Sequence, residues 1–184
     1  ASITACSNVT GIKNPYHDIA NLMHLNKGLC FVDFACSAPY ININMHPDHE
    51  SYLDAIFFSP HKFLGGPGSS GVLVFNKNLY KNETPDNPGG GTVKWTNPWK
   101  DHLYLDNIED REDGGTPGFL QVIRTALAIQ LKEKMGVDNI VNREKELTEL
   151  VFEKLSNING LTILEKQHKD RLPIFSFVIE GLHF

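Results

Sequence analysis

The chain has 184 residues, 41% hydrophobic and 21% charged, a balance that suits a globular domain with a buried core and excludes a disordered or fibrous class. Its formal net charge of −5 offers no basic field to nucleic acid or to an anionic membrane surface, and no apolar run reaches the roughly 18 residues of a membrane span. Three cysteines, Cys6, Cys30 and Cys36, without a C-x-x-C spacing, fit a reducing, cytoplasmic setting better than a disulfide framework.

Residues 3–6 read as the tail of a strand, and "SNVTG" as the turn after it. "NPYHDIANLMHLNKG" reads as a helix, with Pro15 near its first turn, an apolar stripe at Ile19, Leu22, Met23 and Leu25, and Gly28 at its end. Residues 29–34, 52–60 and 71–76 are short apolar runs of the kind found in strands buried on both faces. The connection between the last two is short for a parallel crossover, so the later strand is expected to run antiparallel.

The stretch 81–118 is rich in Pro, Gly, Asn and Asp and reads as long ordered loops of the kind that serve a site or a partner subunit. A helix follows over 116–136, with Thr116 as N-cap, Pro117 at its first position and Gly136 at its end. A second, amphipathic helix covers 137–158, and "GLTIL" and "PIFSFVIEG" read as strands. The fold class is therefore α/β with a mostly parallel sheet. The chain starts at Ala1 and stops inside an alternating apolar run, which reads as an excerpt of a longer protein.

The chemistry centres on "FFSPHKFLGGPGSSGVLVF", residues 57–75, where Lys62 stands between an apolar run and a glycine-rich loop. A lysine desolvated at a strand end has a lowered pKa, and its neutral amine can form Schiff bases with aldehydes. The common biological aldehyde handled this way is pyridoxal phosphate. That cofactor needs an acid at its pyridine nitrogen, and hydroxyls or backbone N–H groups at its phosphate. Asp33 ends the preceding strand, and in a parallel sheet it would share the carboxyl-end edge with the lysine. Ser59 and His61 flank Lys62 and can donate to a phosphate, and "GGPGSSG" allows a close turn behind it. "GGTPG", 114–118, opens a helix and offers a second anion site through its N–H groups and the Thr116 hydroxyl.

Taken in order, "SNVTG", "VDFACSAP", "FFSPHKFLGGPGSSGVLVF" and "REDGGTPG" resemble the class V aminotransferase-fold family of pyridoxal-phosphate enzymes, most of all its cysteine desulfurase and selenocysteine lyase branch. The resemblance covers about residues 3–184. It implies the large domain of the fold type I architecture, incomplete, over 1–136, and over 137–184 a linking helix and the beginning of a small C-terminal α+β domain. It implies that Lys62 is the Schiff-base lysine and proton shuttle, that Asp33 pairs with the ring nitrogen, and that Ser59 and His61 hold the phosphate. Asn8 would reach the ring hydroxyl. Thr116, with the Gly115 backbone, would contact the phosphate bound by the neighbouring subunit of a homodimer. The family commonly has glutamine three residues after the aspartate, where this chain has Cys36.

The expected substrate is a small amino acid, with an aminotransferase or another lyase on the same fold as the alternative reaction. A non-catalytic phosphate-binding module is the alternative from a different class, although "GGPGSSG" lacks the G-K-[ST] ending of a P-loop. "HPDHE", 46–50, matches no strong metal-ligand spacing and reads as a solvated loop, so no metal is expected. An isolated excerpt is expected to be inactive, because the arginine for the substrate carboxylate and the sulfur-accepting cysteine of desulfurases fall outside it.

Overall fold

The computed structural model describes residues 1–183. The strands β1 (Ser2–Thr4), β2 (Phe31–Asp33) and β3 (Ala55–Phe58) pair in parallel, with Thr4 opposite Asp33 and Asp33 opposite Phe57. β4 (Val72–Phe75) completes the order β1-β2-β3-β4 and runs antiparallel to β3, as the short connection requires. The sheet is thus mixed and mostly parallel.

The helix between β1 and β2, α1 (Tyr16–Leu25), starts directly after Pro15 and ends with Asn26 as its C-cap. The left-handed residue beyond that cap is Lys27 (φ 58°), not Gly28. Gly28 serves close approach instead: a Cβ there would lie 2.5 Å from the Met23 side chain. α1 contributes Ala20 to the core, where Cys30, Val32, Phe34, Leu53 and Ile56 are also buried. Burying a side chain the size of Val32 or Phe34 stabilises by roughly 1.5–3 kcal/mol each, and both are fully inaccessible.

Asn76–Leu120 forms a compact unit of its own, separate from the unit made by Ala1–Phe75 and the described residues from Gln121 onward. Here the sequence suggested loops alone. The structure contains a hairpin of β5 (Val93–Thr96) and β6 (His102–Tyr104), then a short helix, α2 (Ile108–Glu112), capped by the Asn107 side chain. Strands of three and four residues, flanked by Asn, Pro and Gly, are too short to show a period against their turns.

α3 (Phe119–Met135) supplies Ala128 to the core, and its Lys132 Nζ donates to the carbonyls of Ala38 (2.6 Å) and Ile41 (2.5 Å). Gly136, at φ +80°, separates it from α4 (Val137–Leu155), a backbone conformation that favours glycine. β7 (Leu161–Ile163) and β8 (Phe177–Ile179) then form an antiparallel pair. No helix among the described residues is long and apolar enough to cross a membrane.

Candidate functional site

Asp33 closes β2 and is half-buried. Its Oδ1 accepts the Ala35 N–H at 2.7 Å, which leaves Oδ2 without a hydrogen-bond partner among the described residues. The carboxylate lines a cavity of about 380 Å³ together with Phe57, Gly71 and the half-buried Ser59, the residue directly after β3. Parallel pairing of β2 with β3 produces this meeting, because it brings both carboxyl ends to one edge of the sheet.

Lys62 comes three residues after Ser59, at the end of a single 3₁₀ turn over Pro60–Lys62. The turn closes with Phe63 N–H donating to the Pro60 carbonyl at 2.9 Å. Pro60 and Phe63 are buried, and the turn therefore directs His61 and Lys62 outward, where both are exposed. The sequence suggested a desolvated lysine; in the structure the ammonium group is open, with no hydrogen bond or ion pair among the described residues. Lys62 lines a separate cavity of about 420 Å³ with Tyr40, Phe63, Lys132 and Glu144. Asp33 and Ser59 thus share one cavity, and Lys62 borders another.

The glycine loop has the role its composition suggested. Gly66 is buried, and a Cβ on it would sit 1.8 Å from the Pro60 carbonyl oxygen, so the backbone can fold back behind the lysine only without a side chain. Arg124 from α3 fastens the far side of the loop by donating to the Pro67 carbonyl at 2.6 Å.

Asn8 is exposed in the turn Ser7–Gly11, and its side chain makes no hydrogen bond among the described residues. The Ser7 hydroxyl accepts from the Val9 and Thr10 N–H groups, at 3.2 and 3.1 Å. Behind this turn lies Arg171, a residue the sequence reading passed over. It is 5% exposed, and Nη1 donates to the carbonyls of Thr10 (2.9 Å) and Leu164 (3.2 Å), Nε to that of His168 (2.6 Å) and Nη2 to that of Glu165. Its guanidinium lies over the rings of Phe152 and Phe175. The only trace in the sequence is an arginine heading the apolar run "LPIFSF".

In the second unit, Gly115 adopts φ +96° and its N–H donates to the Gly90 carbonyl at 2.8 Å, so "GGG" at 89–91 backs "GGTPG". That N–H is therefore committed, whereas the exposed Thr116 hydroxyl makes no hydrogen bond among the described residues. Thr116 is not the N-cap of α3: helical residues begin at Phe119, whose N–H turns back tightly to the Pro117 carbonyl at 2.9 Å.

An open carboxylate oxygen and a hydroxyl on one cavity suit two groups of pyridoxal phosphate, its protonated ring nitrogen and its phosphate, while the lysine borders the other cavity. Among the described residues no three His, Cys, Asp or Glu side chains gather as a metal site.

Comparison with known proteins bears on the same residues. The aminotransferase class-V family model matches residues 1–184. A probable cysteine desulfurase of Halalkalibacterium halodurans is 31% identical over 186 aligned residues, which cover 99% of this chain and 43% of that protein. A probable cysteine desulfurase of Staphylococcus epidermidis is 33% identical, with the same two coverages. The chain thus spans less than half the length of these relatives. Among solved structures, a cysteine desulfurase of Thermococcus onnurineus superposes with a TM-score of 0.86 at 24% identity, over 99% of this chain and 44% of the other. One from Escherichia coli gives 0.81 at 21%, over 99% and 43%. At such identities these two establish the fold alone.

Proposed function

Because the chain belongs to the aminotransferase class-V family, we propose that it forms the lysine-bearing part of a pyridoxal-phosphate-dependent enzyme of the cysteine desulfurase or selenocysteine lyase type, acting on a small amino acid. The observation that carries the reading is the cavity in which Asp33, with one free carboxylate oxygen, meets Ser59 just ahead of Lys62. When bound, pyridoxal phosphate supplies a protonated ring that draws electron density from the substrate.

In this reading the Asp33 charge holds the ring nitrogen in its protonated form. Ser59 and His61 donate to the phosphate, and the Asn8 side chain orients the ring hydroxyl. Lys62 is the covalent attachment point, and once released its amine carries a proton at the substrate's α-carbon. Its exposure leaves the amine free of competing partners, and cofactor and substrate would then cover it. Cys36 stands where the family has glutamine, and its thiol donates to the Cys6 carbonyl, so the amide contact to the ring oxygen is lost.

Gly115 sets the turn that exposes Thr116, whose hydroxyl contacts the phosphate held by the other subunit of a homodimer. Residues 1–136 belong to the large cofactor-binding domain, and 137–184 lead into the small one. The enzyme works in the cytoplasm.

The test is borohydride reduction of the full-length protein with added pyridoxal phosphate, followed by peptide mapping. A pyridoxyl group on Lys62 alone is expected, and cysteine should then yield alanine, its sulfur appearing as sulfide when dithiothreitol is present to reduce it. Labelling spread over surface lysines would overturn the reading.

A further inference from the structure

We propose that Cys6 and Cys36 form a reversible disulfide when a peroxide oxidises the protein. β1 and β2 pair in parallel up to Thr4 opposite Asp33, and Cys6 and Cys36 lie two and three residues beyond these last paired positions. The two cysteines already meet: the Cys36 thiol donates to the Cys6 carbonyl at 2.9 Å. Both sulfurs are free thiols, Cys6 buried and Cys36 half-buried. Cys30, the third, is fully buried at the opposite end of β2 and is excluded as a partner by that position.

Burial and the neighbouring Cys36 push the Cys6 thiol up to about 12, and Cys6 donates to the Gly11 carbonyl at 3.1 Å. Cys6 therefore stays protonated, and the more accessible Cys36 meets the oxidant first. The Cys36 sulfur attacks one peroxide oxygen, the O–O bond breaks, and Cys36 becomes a sulfenic acid as the first water leaves. The Cys6 sulfur then attacks the Cys36 sulfur, the S–O bond breaks, and hydroxide departs with the Cys6 proton as the second water. In sum two thiols lose two electrons and one peroxide gains them. The product ties the loop after Asp33 to the start of the Asn8 turn. The inference rests on the thiols alone and stands whether or not the cofactor reading holds.

The experiment treats the full-length protein with graded hydrogen peroxide, blocks remaining thiols under denaturing conditions, and maps tryptic peptides without reduction. The peptide ending at Lys13 carries Cys6, and the peptide 28–62 carries Cys30 and Cys36. The expected product is these two peptides joined within one chain, fragmenting to Cys6–Cys36, about 2 Da lighter than their sum, and released by dithiothreitol. Cys36→Ser should abolish the link and leave Cys6 alkylatable. Cys6→Ala should let Cys36 run on to the sulfinic acid. Sulfinic Cys36 in the unsubstituted protein with no linked peptide would overturn the proposal, and so would a link through Cys30 or between two chains. Because the unsubstituted protein is itself decisive, a variant that fails to fold leaves the result standing.

Discussion

Asp33 commits one oxygen to the Ala35 N–H and keeps the other open, and its neighbours would tolerate an amide in its place. Asp33→Asn should therefore fold normally and lose charge alone. Sulfide release from cysteine is expected to fall on the order of a hundredfold or more, the scale of losing one preorganised electrostatic partner; an unchanged kcat would remove Asp33 from the site. Gly66 tests geometry rather than charge. Its missing Cβ leaves room for the Pro60 carbonyl, so Gly66→Ala must move one of the two backbones. The expected cost is about 1–3 kcal/mol in urea unfolding, with cofactor labelling of Lys62 reduced beyond what the stability loss explains. Asp33 and Lys62 were both legible as residues because their chemistry is unusual for strand ends. The outward turn of Lys62 was not legible, since the burial of Pro60 and Phe63 beside it decides that direction.

At the scale of elements, α1 is tied to the approach to β3 by His24. Its Nε2 faces Asp54 Oδ2 at 3.0 Å and its Nδ1 faces the Glu50 carbonyl at 2.7 Å, so both ring nitrogens meet acceptors and the imidazolium is the form that satisfies both. The ring also stacks on Tyr52 at 4.0 Å. Burial opposes the charge, but the hydrogen bonds to Asp54 and Glu50, with the Asp54 charge, outweigh it and hold the pKa above the usual 6.5. A raised folded value means the stabilisation is complete below pH 6.5 and is lost as pH rises through the folded pKa. Urea midpoints should fall across that window. Asp54 is 2% exposed and also accepts the Cys30 N–H, so Asp54→Asn should cost about 3 kcal/mol at acidic pH and flatten the pH dependence; a slope that survives would assign it to another group. The long elements of the fold were legible from their periodicity, α3 and α4 above all. The β5–β6 hairpin and α2 were not, because local turn chemistry there is as strong as the strand signal.

On the scale of the whole molecule, Arg171 links residues distant in sequence, joining the segment around β7 to the turn that carries Asn8. Arg171→Ala would strip donors from four carbonyls held in part-buried hydrogen bonds. A loss of at least about 1–3 kcal/mol in urea unfolding is expected, with Arg171→Lys, which keeps charge but fewer donors, losing less. Equal losses would mean that only packing on Phe152 and Phe175 matters. The sequence by itself determined the α/β class, the antiparallel fourth strand, the helix-breaking glycine at 136 and the candidates Lys62, Asp33 and Ser59. Each depends on local rules: apolar period, connection length, backbone freedom, or a reactive side chain beside a glycine turn. Only the tertiary structure decided that Asp33 and Ser59 share a cavity, that Lys62 faces outward, that Arg171 supports the Asn8 turn, and that Cys6 meets Cys36. Those are register and burial effects between strands far apart in the chain, and no window of neighbouring residues contains them.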